Sequence, residues 1–136
     1  MTAATMTHEP TISLPAKPKL RGWLHLGMAP VALIVGLVFT VFAPTLEGRI
    51  GSGIYTLSAV ILFGTSAAYH RGNWTDRGNA IFRRIDHSNI FIFIAGSYTP
   101  LTLTLLEGTP RWTLLILIWS IALLGVVFRT TWLRAP

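Results

Sequence analysis

The chain has 136 residues, of which 51% are hydrophobic and 12% are charged, with a formal net charge of +6 and no cysteine. Because the apolar residues are collected in long runs, this composition excludes an ordinary soluble domain and indicates a membrane protein with several spans. Without cysteine there are no disulfides and no thiolate metal ligands, so any transition metal would have to be held by histidine, carboxylate or water.

Four apolar segments are predicted to cross the membrane, at about residues 24–42, 50–69, 87–106 and 112–128. All four lack Lys, Arg, Asp and Glu, and their lengths are close to the roughly 17 to 25 residues that a helix needs to cross a hydrocarbon core. The predicted fold class is therefore all-α, a polytopic transmembrane helical bundle occupying residues 21–136. Residues 1–20 contain three prolines and no long apolar run, which predicts a disordered cytoplasmic leader.

The basic residues lie between and beside the spans instead of forming a patch, so we expect a membrane lipid environment and no nucleic-acid partner. Arg49 and Arg111 lie on one side of the membrane, and nine others fall on the opposite side: Lys17, Lys19, Arg21, Arg71, Arg77, Arg83, Arg84, Arg129 and Arg134. By the positive-inside rule, this asymmetry predicts cytoplasmic N and C termini in the inner (plasma) membrane.

Polar residues at the end of the second span and the start of the third form a candidate site, since such groups in membrane helices usually mark function. Ser66 and His70 are four residues apart and share one helical face. In an antiparallel hairpin, Asp86 begins the next helix at the level of His70, and His25 enters at that level from the first span. Imidazole and carboxylate groups at one depth are typical ligands of Zn²⁺, and Asp86 could ligate directly or orient and deprotonate a metal-activated water.

Each of these residues also has a simpler interpretation. His70 and His25 could be interfacial histidines without a ligand, and Asp86 could cap the first turn of a helix and favour its dipole. The spacing alone leaves the metal site and these structural roles open.

Three segments resemble the hemolysin III branch of the progestin and adipoQ receptor superfamily. They are KPKLRGWLHL at 17–26, SAAYH at 66–70 and DHSNIFIFIAGSYTP at 86–100. The resemblance implies seven transmembrane helices with an intramembrane zinc near the cytoplasmic face. It implies that His70 is a zinc ligand, that Ser66 and Asp86 are polar neighbours of the metal-bound water with catalytic roles, and that His25 matches a histidine of the first helix.

By the same resemblance, the expected activity is ceramidase-like hydrolysis of lipid amides or esters, while the bacterial branch is named for hemolysis. Members of the superfamily carry a His-x-x-x-His on the last helix, which supplies two more zinc ligands. This chain has no histidine after His87. We therefore expect four of the seven helices, in a truncated product or fragment; the alternative is that another chain supplies the missing ligands. The fragment is expected to be inactive alone because one strong imidazole holds zinc weakly.

Two alternatives come from other functional classes. Oligomers of the helices could form a pore or channel, although the spans lack the full-length polar stripe that a water-filled path needs. A receptor-like or structural membrane protein is the other alternative, in which the polar residues only join the helices.

Overall fold

The computed structural model describes residues 19–132, which form four helices: α1 (Lys19–Phe42), α2 (Leu46–Arg71), α3 (Asp76–Leu105) and α4 (Gly108–Thr131). Each helix is long and apolar enough to cross a membrane, and the described range contains no strand. The predicted all-α class is confirmed, and the chain is a multi-pass membrane protein. The predicted leader lies outside the described residues except for Lys19 and Leu20, which already belong to α1.

Threonine caps set where α2 and α3 begin. The Thr45 hydroxyl accepts a hydrogen bond from the Gly48 backbone N–H at 3.1 Å, and the Thr75 hydroxyl accepts one from Gly78 at 3.2 Å. Each cap satisfies an N–H group that has no partner inside its helix. Because α3 begins here, Asp86 lies within the helix instead of at its start, so the expectation that Asp86 begins or caps this helix is wrong.

The helices pack in chain order as an antiparallel row, α1 on α2, α2 on α3 and α3 on α4. Within residues 19–132, the backbone of α1 does not closely approach α3 or α4. Small residues allow the close approaches, as is common between membrane helices. A Cβ added to Gly51 would lie 2.5 Å from Pro100 Cα, and one added to Gly125 would lie 2.7 Å from the Phe91 ring.

The buried interior follows the two central helices and is made largely of small and hydroxyl-bearing side chains. Three of the six buried hydroxyls in the described range donate to a carbonyl three or four residues earlier in their own helix. Thr56 does so to Ser52 at 2.7 Å and Thr99 to Ala95 at 2.7 Å. Such bonds allow a polar side chain to be buried in an apolar environment without a lost hydrogen bond. The polar side chains that bond differently are concentrated where α2 ends and α3 begins.

Candidate functional site

A set of buried polar side chains lies at the end of the row where α2 ends and α3 begins. Their exposed fractions are 2% for Ser66, 9% for His70, 8% for Asp86, 4% for Ser88 and 9% for Asn89. Together with the half-buried His25 of α1, we call these six residues the polar cluster. Since the ionisable side chains of His70 and Asp86 are buried between helices, they are shielded from the surrounding lipid.

The pairing of α2 with α3 fixes the relative levels of the cluster residues. Thr65 bonds to Asn89, and an added Cβ on Gly51 would meet Pro100. In the antiparallel arrangement that these pairs define, Asp86 lies between the levels of Ser66 and His70. The structure thus brings Asp86 within about one helical turn of His70 along the membrane normal.

His25 connects α1 to this level. Its Nδ1 lies 2.7 Å from the Ser66 hydroxyl oxygen, and its ring meets Phe63 edge-on with centroids 5.4 Å apart. Which partner donates depends on the histidine tautomer. With Nδ1 engaged, Nε2 is the ring atom that a ligand could use. His25 was predicted as an additional metal candidate, and the structure gives it a hydrogen bond to Ser66.

Asn89 and Ser88 add two groups to the cluster that the sequence did not assign to the site. The Asn89 amide donates to the Thr65 hydroxyl at 2.6 Å and joins α3 to α2. Ser88 is buried, and its hydroxyl has no hydrogen-bond partner within residues 19–132. The sequence feature that indicates these two residues is the unbroken polar run 86–89, which directly precedes an apolar segment.

His87 belongs to a different contact. Its Nδ1 accepts a hydrogen bond from the Arg129 guanidinium of α4, so this ring lies on the α3–α4 side. His70, by contrast, faces the α1–α2 side, because a Cβ added to Gly22 would lie 3.0 Å from the His70 Cβ. The two histidines that flank the hairpin therefore belong to different helix interfaces.

The described residues do not by themselves form a metal site. Among the residues that the structure describes, no group of three or more His, Cys, Asp or Glu side chains is placed to hold a metal ion. Catalytic zinc sites use three protein ligands and one open position. His70 and Asp86 have suitable donor chemistry and burial for part of such a set, without forming it by themselves.

Residues 15–136 match the model of the protein family described as Haemolysin-III related. This chain belongs to the haemolysin-III related family. Hemolysin-3 of Bacillus cereus is 32% identical over 103 residues, covering 76% of this chain and 47% of the relative. The Hemolysin-3 homolog of Bacillus subtilis (strain 168) is 35% identical over 107 residues, covering 76% of this chain and 50% of the relative. No solved structure matches the chain.

The predicted resemblance is therefore confirmed at the level of the family. The chain spans about half the length of the curated relatives that it matches. For this haemolysin-III related protein, the roles of His70, Asp86, Ser66 and His25 in metal binding or catalysis stay predictions.

Proposed function

We propose that this haemolysin-III related protein takes part in zinc-dependent hydrolysis of lipid amides or esters within the membrane. The observation that carries the proposal is the burial of His70 and Asp86 on adjacent helices at neighbouring levels, beside Ser66. Burying ionisable groups among membrane helices costs free energy, so such groups are typical of functional sites.

The donor chemistry of the polar cluster is compatible with zinc. A neutral imidazole and a carboxylate are common zinc ligands, and His70 and Asp86 would hold the ion from neighbouring helices. When bound, zinc would supply a Lewis acid for the substrate carbonyl and lower the pKa of a water molecule. Since the described residues supply only part of a ligand set, the 136-residue chain alone would bind zinc weakly.

Proton transfer and hydrogen bonding to the substrate would be carried out by side chains of this chain. Asp86 would orient the attacking water and accept its proton, and it would return a proton to the amine or alcohol that leaves. Ser66, held by its hydrogen bond to His25, would offer a hydrogen bond to a polar group at the site. Burial of Ser66 and Asp86 between the helices would limit bulk water around these two side chains, which strengthens their electrostatic interactions.

The proposed orientation places the polar cluster near the cytoplasmic surface of the inner membrane. Of the nine Lys and Arg residues within 19–132, seven fall at the end of the helix row where the polar cluster lies. An excess of basic residues marks the cytoplasmic side of membrane proteins. A protease-accessible tag at the N terminus, digested in right-side-out and inverted vesicles, would be cut only in the inverted ones.

The test of the activity uses a full-length context, in which this chain replaces the matching part of the Bacillus subtilis relative. Purified protein is given a fluorescent N-acyl lipid amide and the matched ester, and the released fatty acid is measured. We expect hydrolysis by the unsubstituted protein and by His87→Ala, and at least a hundredfold loss in Asp86→Asn, because general base catalysis contributes about 10² to 10⁴ in rate. Equal rates in Asp86→Asn and the unsubstituted protein would contradict the proposal.

A further inference from the structure

A cavity opens on the surface at the same end of the helix row, next to the polar cluster. Its volume is about 580 Å³. Its lining includes Gly72 and His70 of the polar cluster. The other lining residues are two cations, two carboxamides and two indoles: Lys19, Arg71, Asn73, Asn79, Trp23 and Trp74. Among the described residues that line it, none is acidic, and Asp76 lies outside the lining although it begins α3. We call this space the basic cavity, and its charge favours an anionic occupant.

Arg71 and Trp23 form one wall of the basic cavity. The Arg71 guanidinium carbon lies 4.3 Å from the centre of the Trp23 ring. A cation over an indole face is attracted by the electron density of the ring, which restrains a side chain that would otherwise be mobile. The edge of the guanidinium keeps N–H groups that can be directed toward a ligand.

Trp74 forms another part of the wall and is held by three contacts. Its indole N–H donates to the Ala68 carbonyl at 3.1 Å, and its ring stacks on Phe82 with centroids 4.0 Å apart. It also lies against Gly72, where any side chain would overlap the indole. The basic cavity is therefore bounded by fixed groups before a ligand arrives, which lowers the entropy lost on binding.

The chemistry of the lining matches a phosphate group. A guanidinium pairs with phosphate oxygens through parallel N–H bonds, an ammonium adds a point charge, and carboxamides donate further hydrogen bonds. Sulfate-like and carboxylate anions share part of this chemistry, but phosphate is the anion that lipids present at the level where membrane helices end.

The position of the cavity favours a lipid over a free ion as the source of that phosphate. Trp23 is 60% exposed, as expected for an indole at the membrane interface. Beside it on α1, Leu20 and Leu24 are 72% and 59% exposed. They offer an apolar surface for an acyl chain directly next to the charged groups.

We propose that the basic cavity binds the phosphate of an anionic phospholipid headgroup. Lys19 and Arg71 neutralise the phosphate, and the lipid tails lie along the exposed face of α1. This binding does not require zinc or hydrolysis, so it stands or falls separately from the proposed function.

The test measures lipid binding to the purified chain in dodecyl maltoside by native mass spectrometry. The probes are dioleoylphosphatidylglycerol, the net-neutral dioleoylphosphatidylcholine, dioleoylglycerol without phosphate, and inorganic phosphate. We expect phosphatidylglycerol to bind most tightly. The double variant Lys19→Gln/Arg71→Gln should bind it roughly thirtyfold more weakly, since each basic residue contributes about a factor of five to anionic-lipid attraction.

The matched control is Arg77→Gln/Arg83→Gln, which removes two exposed positive charges from the same end of the row without changing the lining of the cavity. We expect less than a threefold change in this control. Arg71→Lys should bind more weakly than the unsubstituted protein but more tightly than the double variant, since it keeps the charge and loses the paired N–H donors. Where the cavity double variant does not fold, Lys19→Gln alone should weaken binding roughly fivefold.

Three results would overturn the proposal. One is equal phosphatidylglycerol binding in the cavity variant and the unsubstituted protein. Another is an equal loss in the control variant, which would mean that only net charge matters. The third is binding of inorganic phosphate without binding of phosphatidylglycerol, which would show that the cavity takes a free ion.

Discussion

The two central helices and the two outer helices differ in how much of their surface is buried against other helices. In α2 and α3, 33% of the most apolar stretch is buried, against 6% in α1 and 11% in α4. Each central helix packs against two neighbours, while each outer helix packs against one. Polar side chains are therefore less destabilising in the central helices, where a neighbouring helix shields them from lipid, and the candidate site lies there.

The outer helix α4 shows the contrast most clearly. Ala122 is its one buried residue within the described range. Its polar connections to α3 come from Trp119, whose indole N–H donates to the Thr99 hydroxyl at 3.1 Å, and from Arg129, which contacts His87. Most of its large apolar side chains are exposed, as a lipid-facing helix requires.

The largest effect expected from this comparison is at the contact between α2 and α3. Gly51→Ala places a Cβ about 2.5 Å from the Pro100 Cα, and a proline backbone inside a helix cannot move aside easily. We expect a loss of about 2 to 3 kcal/mol in the free energy of unfolding, the upper part of the range for overpacking. Thermal unfolding in detergent, followed by circular dichroism, measures it.

The matched control for this prediction is Gly64→Ala in the same helix. A Cβ at that position would have no heavy atom within 4 Å, and alanine favours a helix over glycine. Gly64→Ala should therefore leave the melting temperature unchanged or raise it. Equal melting temperatures for both variants would mean that α2 and α3 are less closely packed than described.

A smaller effect is expected from the hydrogen bond between Asn89 and Thr65. Asn89→Leu and Thr65→Val each remove one side of a 2.6 Å bond between α2 and α3. A double-mutant cycle should give a coupling energy of about 0.6 to 1.7 kcal/mol, the range found for bonds between membrane helices. As a control, Ser97 bonds to the Phe93 carbonyl of its own helix, so Ser97→Ala should show no coupling to Thr65→Val.

In the outer helix, Trp119→Phe should cost about 0.5 to 1 kcal/mol. The substitution removes the donor to Thr99 but leaves the Thr99 hydroxyl bonded to Ala95, so no buried group loses its last partner. Chemical unfolding of the two proteins in mixed detergent would measure the difference. A loss above 2 kcal/mol in the free energy of unfolding would contradict this expectation, because it would mean that the packing of α4 depends strongly on the bond between Trp119 and Thr99.

The smallest effect is expected at Ser88. Its buried hydroxyl has no hydrogen bond to any residue in the described range 19–132, so Ser88→Ala removes an unsatisfied group and loses no contact. The free energy of unfolding should change by less than about 0.5 kcal/mol or should rise. Ser66→Ala is the comparison, because it breaks the bond to His25 and should destabilise by about 1 kcal/mol. A loss at Ser88 equal to that at Ser66 would reveal a bond that the structure lacks.

The fold was predictable because long apolar runs free of charge have few alternatives to a membrane helix. The start of α3 was not predictable in the same way, since residues 76–80 (DRGNA) give only a weak helical signal. The Thr75 cap, with its bond to Gly78, decides this boundary. At the site, residue spacing placed Ser66 and His70 on one face. The bond of His25 to Ser66, and that of Asn89 to Thr65, depend on which helix faces which and could not be read from spacing.

Zinc content tests the central claim most directly. In the full-length context used for the hydrolysis assay, the unsubstituted protein, His70→Ala and His87→Ala are purified and analysed for metal by mass spectrometry. If the polar cluster holds zinc, the first and third proteins retain the metal and His70→Ala loses it, since His87 contacts Arg129 instead. Equal zinc in His70→Ala and the unsubstituted protein would contradict the account.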